Sequence, residues 1–295
     1  LLLGELIAET DLPPGIFSVV NVKNDDAGDL VADPRLPVVS FTGSGPVGFS
    51  IQKQVPEKHV VLELGGNAAV VVAADYASEA DLDWASTRIA NFSNYQAGQS
   101  CIGVQRVFAD TSLYDDLRDR IVTKVEALRT GDPRDEKTFV GPMIDEAAAQ
   151  RVEEWVSAAV DAGATLLTGG TREGTTYAPT VLEGVPHDAK ASCAEVFGPV
   201  LLLESVDDAE AGIAAVNDSR FGLQAGLFTH DLQTAFKAHR ELQVGGVIVG
   251  DVPSYRADQM PYGGVKESGV GREGVHYTML DFSYERVMVL TGLDL

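Results

Sequence analysis

Positive charge is scarce in this sequence. The 295 residues contain 22 Lys and Arg against 44 Asp and Glu, which gives a formal net charge of -22 and a pI of about 4.4. Such a surface repels the phosphate backbone of nucleic acids and anionic lipid headgroups. We therefore expect no nucleic acid and no membrane among the partners. The acidic excess also predicts a salt-loving (halophilic) source organism, because molar salt screens repulsion between like charges; an ordinary acidic protein is the alternative.

Long apolar runs and cysteines are also few. No stretch approaches the roughly 20 apolar residues that a membrane-spanning helix needs, and residues 1–10 lack the basic leader and cleavage site of a signal peptide. The two cysteines, Cys101 and Cys193, could form at most one disulfide, and a chain with a core of this size does not need one. We expect a cytoplasmic protein with two free thiols.

The order of apolar and polar segments predicts an α/β fold. Short β-branched runs alternate with longer amphipathic stretches, as in layered proteins built from strands and helices. The chain should open inside one α/β domain and pass into a second near Gly65. Predicted strands are 17–22, 36–43, 58–66, 67–75, 164–170, 199–206 and 245–250, and predicted helices are 1–10, 48–55, 82–96, 111–131 and 145–164.

A glycine-rich turn follows the predicted strand at 36–43. Residues 43–48 satisfy the spacing G-x-G-x-x-G, in which glycines let a phosphate approach backbone amides at a helix N-terminus. A plain structural turn is the alternative. A dinucleotide site also needs an acid at the end of the next strand to bind the ribose, and Glu63 has that position.

Glu63 interrupts a strand that is otherwise fit for burial, Val60 to Leu64. A buried carboxylate is costly unless it is paired or its pKa rises, and a raised pKa suits a general base. The alternative is a carboxylate satisfied by the backbone amides of Gly65 and Gly66.

Cys101 follows a predicted helix and lies in a turn of small residues. Backbone amides in such a turn can stabilise a thiolate and a developing oxyanion, which makes Cys101 a candidate nucleophile; an ordinary buried cysteine is the alternative. The five histidines show no metal-ligand spacing and no Cys/His cluster. We therefore predict no metal site.

Four motifs occur in a fixed order along the chain. They are Leu62-Glu63-Leu64-Gly65-Gly66-Asn67, Gly98-Gln99-Ser100-Cys101, Glu195-Val196-Phe197-Gly198-Pro199 and the segment Pro261 to Gly269. In order and context they resemble the aldehyde dehydrogenase superfamily, and in detail its lactaldehyde and glycolaldehyde dehydrogenase-like branch. The resemblance covers nearly the whole chain.

The resemblance implies a fold and three segments. Residues 1–65 would be the remainder of a Rossmann-like dinucleotide-binding domain, and 66–266 would be an α/β catalytic domain. Residues 267–295 would hold a helix that returns to the cofactor domain and a C-terminal oligomerisation strand, Glu285 to Leu290. The lysine and asparagine that the family uses for the adenosine ribose and the oxyanion lie upstream of Leu1. We therefore expect a fragment, a truncated product or an impaired relative.

The resemblance also implies the reaction. Cys101 would attack the aldehyde to form a thiohemiacetal, and a hydride would pass to NAD or NADP, leaving a thioester. Glu63 would then activate the water that hydrolyses the thioester. This role replaces the earlier interpretation of Glu63 as a ligand of the cofactor ribose. CoA-acylating relatives generally lack a glutamate at the position of Glu63, so its presence weighs against them.

Cofactor and substrate contacts carry over in the same way. Glu195 would bind the nicotinamide ribose.

Ser100 has the position at which relatives that oxidise a phosphorylated triose carry arginine. Arg256 has a loop position from which, in such relatives, a side chain can reach a polar or anionic part of the substrate; a surface ion pair is the alternative for Arg256. We expect a short polar or hydroxy aldehyde and a homo-oligomer, dimer or tetramer, when the protein is full length; the alternative function is a non-catalytic partner subunit. The remaining implied cofactor contacts are Gly43, Ser44, Leu64, Gly65 and Phe197.

Overall fold

The computed structural model describes residues 1–292, so residues 293–295, the end of the predicted third segment, lie outside the described residues. The helices are α1 (Leu2–Ala8), α2 (Asn24–Ala32), α3 (Gly45–Gln54), α4 (Glu79–Asn94), α5 (Tyr114–Glu126), α6 (Glu146–Asp161), α7 (Lys190–Cys193), α8 (Ala209–Asn217), α9 (Leu232–Glu241) and α10 (Val275–Asp281). The strands are β1 (Val38–Thr42), β2 (His59–Glu63), β3 (Ala69–Val72), β4 (Arg106–Asp110), β5 (Thr165–Thr168), β6 (Arg172–Glu173), β7 (Thr176–Tyr177), β8 (Thr180–Glu183), β9 (Val200–Val206), β10 (Phe221–Gly222), β11 (Gln224–Phe228), β12 (Gly246–Val249), β13 (Val265–Lys266) and β14 (Gly269–Val270).

A seven-stranded sheet forms the centre of the fold. Its order is β12-β11-β3-β4-β9-β8-β5, and every neighbouring pair is parallel except β5 with β8. Strand β3, with the sequence Ala-Val-Val-Val, is buried along its whole length, as expected of a central parallel strand covered on both faces. This sheet confirms the α/β class.

Four helices around this sheet, α4, α6, α8 and α9, begin at side-chain caps. Ser78 and Asp81 form a reciprocal capping box at the start of α4, and Asp145, Asp208 and Asp231 cap α6, α8 and α9. Each cap satisfies backbone N–H groups that a helix start otherwise leaves without a partner. Helix α4 buries Leu82, Ala85, Ser86, Ile89, Ala90, Ser93 and Asn94, and it leads directly to the turn that carries Cys101.

A second, three-stranded sheet has the order β1-β2-β14. Strands β1 and β2 are parallel, whereas β14 arrives from the C-terminal part of the chain and pairs with β2 in the antiparallel sense. Helix α10 follows β14 and returns to the same sheet, where Asp281 contacts the ring of His59 at 2.9 Å. Glu63, at the end of β2, therefore lies between a strand from each end of the chain.

One strand prediction was wrong for the described chain, and a second is not tested by it. Residues 17–22 form no strand, and Phe17, Val19, Val20 and Val22 are exposed. Residues 285–290 also have no regular structure within this single chain, and Val287 to Leu290 are exposed. In both segments the residue types favour strands, but nothing in residues 1–292 pairs with them. Pairing of 285–290 with another subunit stays a prediction.

In the part of the chain that the structure describes, no helix has both the length and the hydropathy required to cross a bilayer. Residues 1–292 also contain no group of three or more His, Cys, Asp or Glu side chains placed to hold a metal ion.

Candidate active site

Cys101 lies at the end of a strained turn that follows α4. Gln96, Ala97 and Gly98 all have left-handed backbone conformations, with φ of 53°, 55° and 69°, and side-chain-bearing residues rarely adopt such angles. A Cβ atom at Gly98 would lie 2.0 Å from the carbonyl oxygen of Gly198. The turn is thus held by direct backbone contact with the Glu195–Pro199 motif, and strain of this kind is typical of functional sites.

The Cys101 thiol is half-buried. Burial raises its pKa, and the negative charges of Glu195 and Glu63 raise it further. Two donors act in the opposite direction: the hydroxyl of Tyr262, 3.0 Å from Sγ, and the backbone N–H of Cys101 itself. The site therefore needs a base, or a donor to the thiolate, before the sulfur can act as a nucleophile.

Glu63 is buried, with 4% of its surface exposed. Neither carboxylate oxygen has a hydrogen-bond partner within residues 1–292. Burial raises the pKa of Glu63 to about 8, the charge of Glu273 adds to the rise, and Arg256 and Arg272 oppose it. A carboxylate in this state accepts a proton near neutral pH and is suited to general-base work.

One short loop brings Cys101 and Glu63 to the same place. The hydroxyl of Tyr262 contacts Sγ of Cys101, and both Cys101 and Glu63 raise the pKa of the Tyr262 phenol. The next residue, Gly263, lies so close to Glu63 that a Cβ there would be 2.9 Å from Oε1. The structure therefore places the two predicted catalytic side chains around the Tyr262–Gly263 pair.

Glu195 lies on the other side of the Gly65–Gly66 turn. The backbone N–H of Gly66 donates to Oε1 of Glu195 at 2.9 Å, and burial raises the pKa of Glu195 while Arg151 opposes the rise. A Cβ at Gly65 would lie 2.3 Å from the Glu195 carboxylate. The Gly66 N–H thus donates to Glu195, and neither oxygen of Glu63 accepts a hydrogen bond from a backbone amide. The alternative, in which the amides of Gly65 and Gly66 satisfy the Glu63 carboxylate, was therefore wrong.

A cleft of about 490 Å³ opens beside Glu195. It is polar at one end, where Ser44 begins helix α3, and a helix N-terminus favours anionic groups. The half-buried Glu195 side chain lines the same space, and its carboxylate can accept hydrogen bonds from hydroxyl groups. The cleft is lined by Ser44, Gly45, Pro46, Phe49, Lys53, Gly65, Glu195, Arg220, Phe221 and Glu267.

Three predicted cofactor residues lie outside that lining. Gly43 is behind it, where its N–H donates to the carbonyl of Glu63 at 3.0 Å. Leu64 is buried against Gly48 of α3. Phe197 has a left-handed backbone, with φ of 47°, and its side chain is 38% exposed. Their roles in cofactor binding stay predictions.

The two predicted substrate residues differ in their surroundings. The Ser100 hydroxyl, beside Cys101, makes a hydrogen bond with the hydroxyl of Tyr95. The Arg256 guanidinium lies over the Tyr262 ring, 3.8 Å from its centroid, and is 3.8 Å from the Glu273 carboxylate. Arg256 therefore belongs to the site, although it also forms the ion pair that the alternative interpretation foresaw.

Four residues near the site carry no role predicted from the sequence: Tyr95, Tyr262, Arg272 and Glu273. Tyr262 stood inside a quoted motif, and its phenol next to two glycines was a signal that could have singled it out. Glu273 is paired with Tyr262 through two backbone hydrogen bonds, and such a contact between non-adjacent residues is not visible in a single sequence.

Comparison with known proteins decides the family. Residues 1–288 match the model of the aldehyde dehydrogenase family. The chain belongs to that family. This match confirms the family predicted from the four motifs, and the predicted similarity to lactaldehyde dehydrogenases is confirmed by a relative of that name.

A 3-sulfolactaldehyde dehydrogenase from Priestia megaterium is 45% identical over 289 residues, which cover 98% of this chain and 60% of the relative. A lactaldehyde dehydrogenase from Methanococcus maripaludis is 35% identical over 293 residues, 99% of this chain and 62% of the relative. The crystal structure of an NAD-dependent aldehyde dehydrogenase from Sinorhizobium meliloti matches with a TM-score of 0.93 at 36% identity, covering 100% of this chain and 59% of that one. The chain thus spans about 60% of the length of these proteins.

Proposed function

We propose that this chain carries the nucleophile and the general base of an NAD- or NADP-dependent aldehyde dehydrogenase. Its reaction would oxidise a short polar or hydroxy aldehyde to the carboxylic acid. The observation that supports this most directly is the placement of Cys101 and Glu63 around the Tyr262–Gly263 pair. The family match supports the reaction class.

The first step is attack by sulfur. The Cys101 thiol gives its proton to the Glu63 carboxylate, and Sγ forms a bond to the aldehyde carbon while the carbonyl electrons move to oxygen. The pKa of Glu63, about 8, makes its carboxylate a proton acceptor near neutral pH, whereas burial raises the pKa of the Cys101 thiol and opposes the transfer. The Cys101 backbone N–H lies next to its own sulfur and would donate to the new oxyanion.

The cleft beside Glu195 would hold a nicotinamide nucleotide. Glu195 offers a half-buried acceptor for ribose hydroxyls, and the absence of a side chain at Gly65 leaves the space that Glu195 needs. When bound there, the cofactor supplies a hydride acceptor for the thiohemiacetal carbon. Ser44 at the start of α3 would lie near its phosphates.

Hydrolysis then releases the product. Glu63 first releases the thiol proton to solvent and then takes a proton from water, while the water oxygen attacks the thioester carbon. The carbon–sulfur bond breaks, and Cys101 leaves as a thiolate. Because the pKa of Glu63 is about 8, the fraction of ionised base, and with it the hydrolytic rate, should rise with pH through that value.

The substrate class follows from Arg256 and Ser100. Arg256 would bind a polar or anionic substituent of the aldehyde, and Ser100 leaves room where an arginine would select a phosphate. A hydroxy aldehyde has the required length and polarity. The names of the sulfolactaldehyde and lactaldehyde dehydrogenases support that class. We further propose that the protein is cytoplasmic and forms a homo-oligomer.

Two substitutions test the reaction in the presence of lactaldehyde and NAD or NADP. Cys101→Ser should lower cofactor reduction by at least about 1000-fold, since oxygen is a far weaker nucleophile than a thiolate, whereas Cys193→Ser at the exposed second cysteine should retain the wild-type rate. Glu63→Gln should slow both the formation of reduced cofactor and overall turnover, because it removes the base for both proton transfers, and the acyl group that does form should be detectable on Cys101 by mass spectrometry.

Two results would count against this function. A Cys101→Ser variant as active as Cys193→Ser would remove Cys101 from the mechanism. A wild-type chain with no turnover and equally slow alkylation at both cysteines would favour the alternative, a non-catalytic partner subunit.

A further inference from the structure

Cys101 Sγ has a single side-chain hydrogen-bond partner within residues 1–292, the hydroxyl of Tyr262 at 3.0 Å. We propose that the Tyr262 hydroxyl is a catalytic hydrogen-bond donor that stabilises the Cys101 thiolate, both before it attacks the aldehyde and when it leaves the thioester. The inference rests on the proposed function, in which Cys101 is the nucleophile.

The surroundings of Cys101 explain why a donor is needed. Burial disfavours the thiolate, and the carboxylates of Glu195 and Glu63 disfavour it further. The Tyr262 hydroxyl and the Cys101 backbone N–H are the groups that act in the other direction. Hydrogen bonds to charged groups are roughly twice as strong as those between neutral groups, so a single phenol has a large effect at this sulfur.

Tyr262 keeps its proton. Burial raises the pKa of its phenol, the adjacent Cys101 and Glu63 raise it further, and Arg256 opposes the rise without reversing it. The phenol therefore stays neutral at every pH at which the enzyme would work, and it faces a negative sulfur as a donor. A phenolate at this place would repel the thiolate.

The position of the hydroxyl is fixed from three sides. The Tyr262 ring is only 5% exposed and packs in one cluster with Ile102 and Leu223. Its backbone N–H donates to the carbonyl of Glu273 at 2.9 Å. The Arg256 guanidinium lies on the ring 3.8 Å from its centroid, where a cation interacts with the π-face and makes the hydroxyl a better donor.

The other tyrosine near Cys101 does not share this role. The Tyr95 hydroxyl is bonded to Ser100, and burial raises the pKa of Tyr95. Among the described tyrosines, Tyr262 is thus the one whose hydroxyl contacts the reacting sulfur.

The test measures the thiolate without any aldehyde or cofactor. In a Cys193→Ser background, Cys101 is the sole thiol, and its rate of alkylation by the uncharged reagent iodoacetamide is followed against pH. Tyr262→Phe keeps the ring and removes the hydroxyl. We expect the apparent pKa of Cys101 to rise by about 1 to 2, and the rate at pH 8 to fall by roughly 10- to 100-fold.

Tyr114→Phe is the matched control. It removes another partly buried tyrosine hydroxyl that makes a hydrogen bond, to Glu183 at 2.9 Å, but one that does not touch Cys101. Its alkylation profile should coincide with that of the parent. Coincidence of the Tyr262→Phe profile with the parent would overturn the proposal, while the Cys101→Ser assay would still decide the proposed function separately.

A second variant retains the hydroxyl in case Tyr262→Phe fails to fold. Replacement of Tyr262 by 3-fluorotyrosine gives a more acidic phenol of nearly the same shape, hence a stronger donor. The apparent pKa of Cys101 should then fall below that of the parent. An unchanged or higher value would contradict the assignment.

Discussion

Two apolar segments of this chain share their residue types but differ in structure. Residues 69–72 form β3, and each of their side chains is at most 1% exposed. Residues 17–22 are also rich in valine, yet they form no strand and Val20 is 66% exposed. β3 has β4 on one side and β11 on the other. Composition thus indicates where a strand is favoured, and the neighbours that supply hydrogen bonds decide whether it forms.

The largest effect expected from this comparison is on stability. Phe228 in β11 is fully buried and its ring contacts that of Tyr76, whereas Phe17 is 48% exposed. Phe228→Ala should lower the free energy of unfolding by about 3 to 5 kcal/mol, and Phe17→Ala by less than about 1 kcal/mol. Urea unfolding of both variants checks this; equal losses would show that residues 17–22 are packed after all.

The second largest effect concerns buried and exposed positions within one strand. Strand β2 begins at the exposed His59 and ends at the buried Glu63. The folded-state pKa of Glu63 is about 8 against an ordinary 4.5, so the folded chain binds the extra proton between these values and loses stability as pH rises across them. Glu63→Gln does not titrate. Its stability relative to wild type should increase from pH 4.5 to 8, by on the order of 3 kcal/mol.

The control for this test is Glu57→Gln, the same change at an exposed position just before β2. Its stability relative to wild type should stay flat across the same pH range. A flat difference for Glu63→Gln as well, measured by urea unfolding at each pH, would show that the Glu63 carboxylate is solvated.

The smallest effect concerns exposed charge. Salt screens the repulsion among surface acids but leaves buried contacts unchanged, so Tm should rise by on the order of 5 °C between dilute buffer and about 1 M KCl. Removing Glu5 in the exposed helix α1 and Glu9 directly after it, with Glu5→Gln and Glu9→Gln, should raise Tm in dilute buffer and weaken its salt dependence. A flat Tm against KCl would contradict the salt-loving origin.

Much of the fold could be predicted from residue patterns. The strands that became β1, β2, β3, β9 and β12 were visible as β-branched runs, because buried parallel strands are apolar without interruption. The end of α6 at Gly163, with φ of 108°, followed from the need for a left-handed residue after a helix. The seven-stranded order required the structure, since pairing between distant strands leaves no local signal.

The candidate site likewise has residues that sequence patterns indicated and contacts that only the structure shows. Glu63 and Cys101 were detectable because each breaks a local rule, an acid in an apolar strand and a thiol in a turn of small residues. Arg256 was named only through the family resemblance and Tyr262 only as part of a motif, and only the fold shows that the Arg256 guanidinium covers the ring whose hydroxyl contacts the nucleophile. Side chains that act through contacts between distant segments are the part that sequence patterns cannot supply.

The backbone contact between Gly98 and Gly198 has a consequence for protein engineering. With no room for even a methyl group between these two turns, the turn that presents the sulfur and the turn that presents Glu195 cannot shift independently. Loop grafting from a relative should therefore succeed only when both segments are exchanged together, and directed evolution of one of them should repeatedly recover compensating changes in the other.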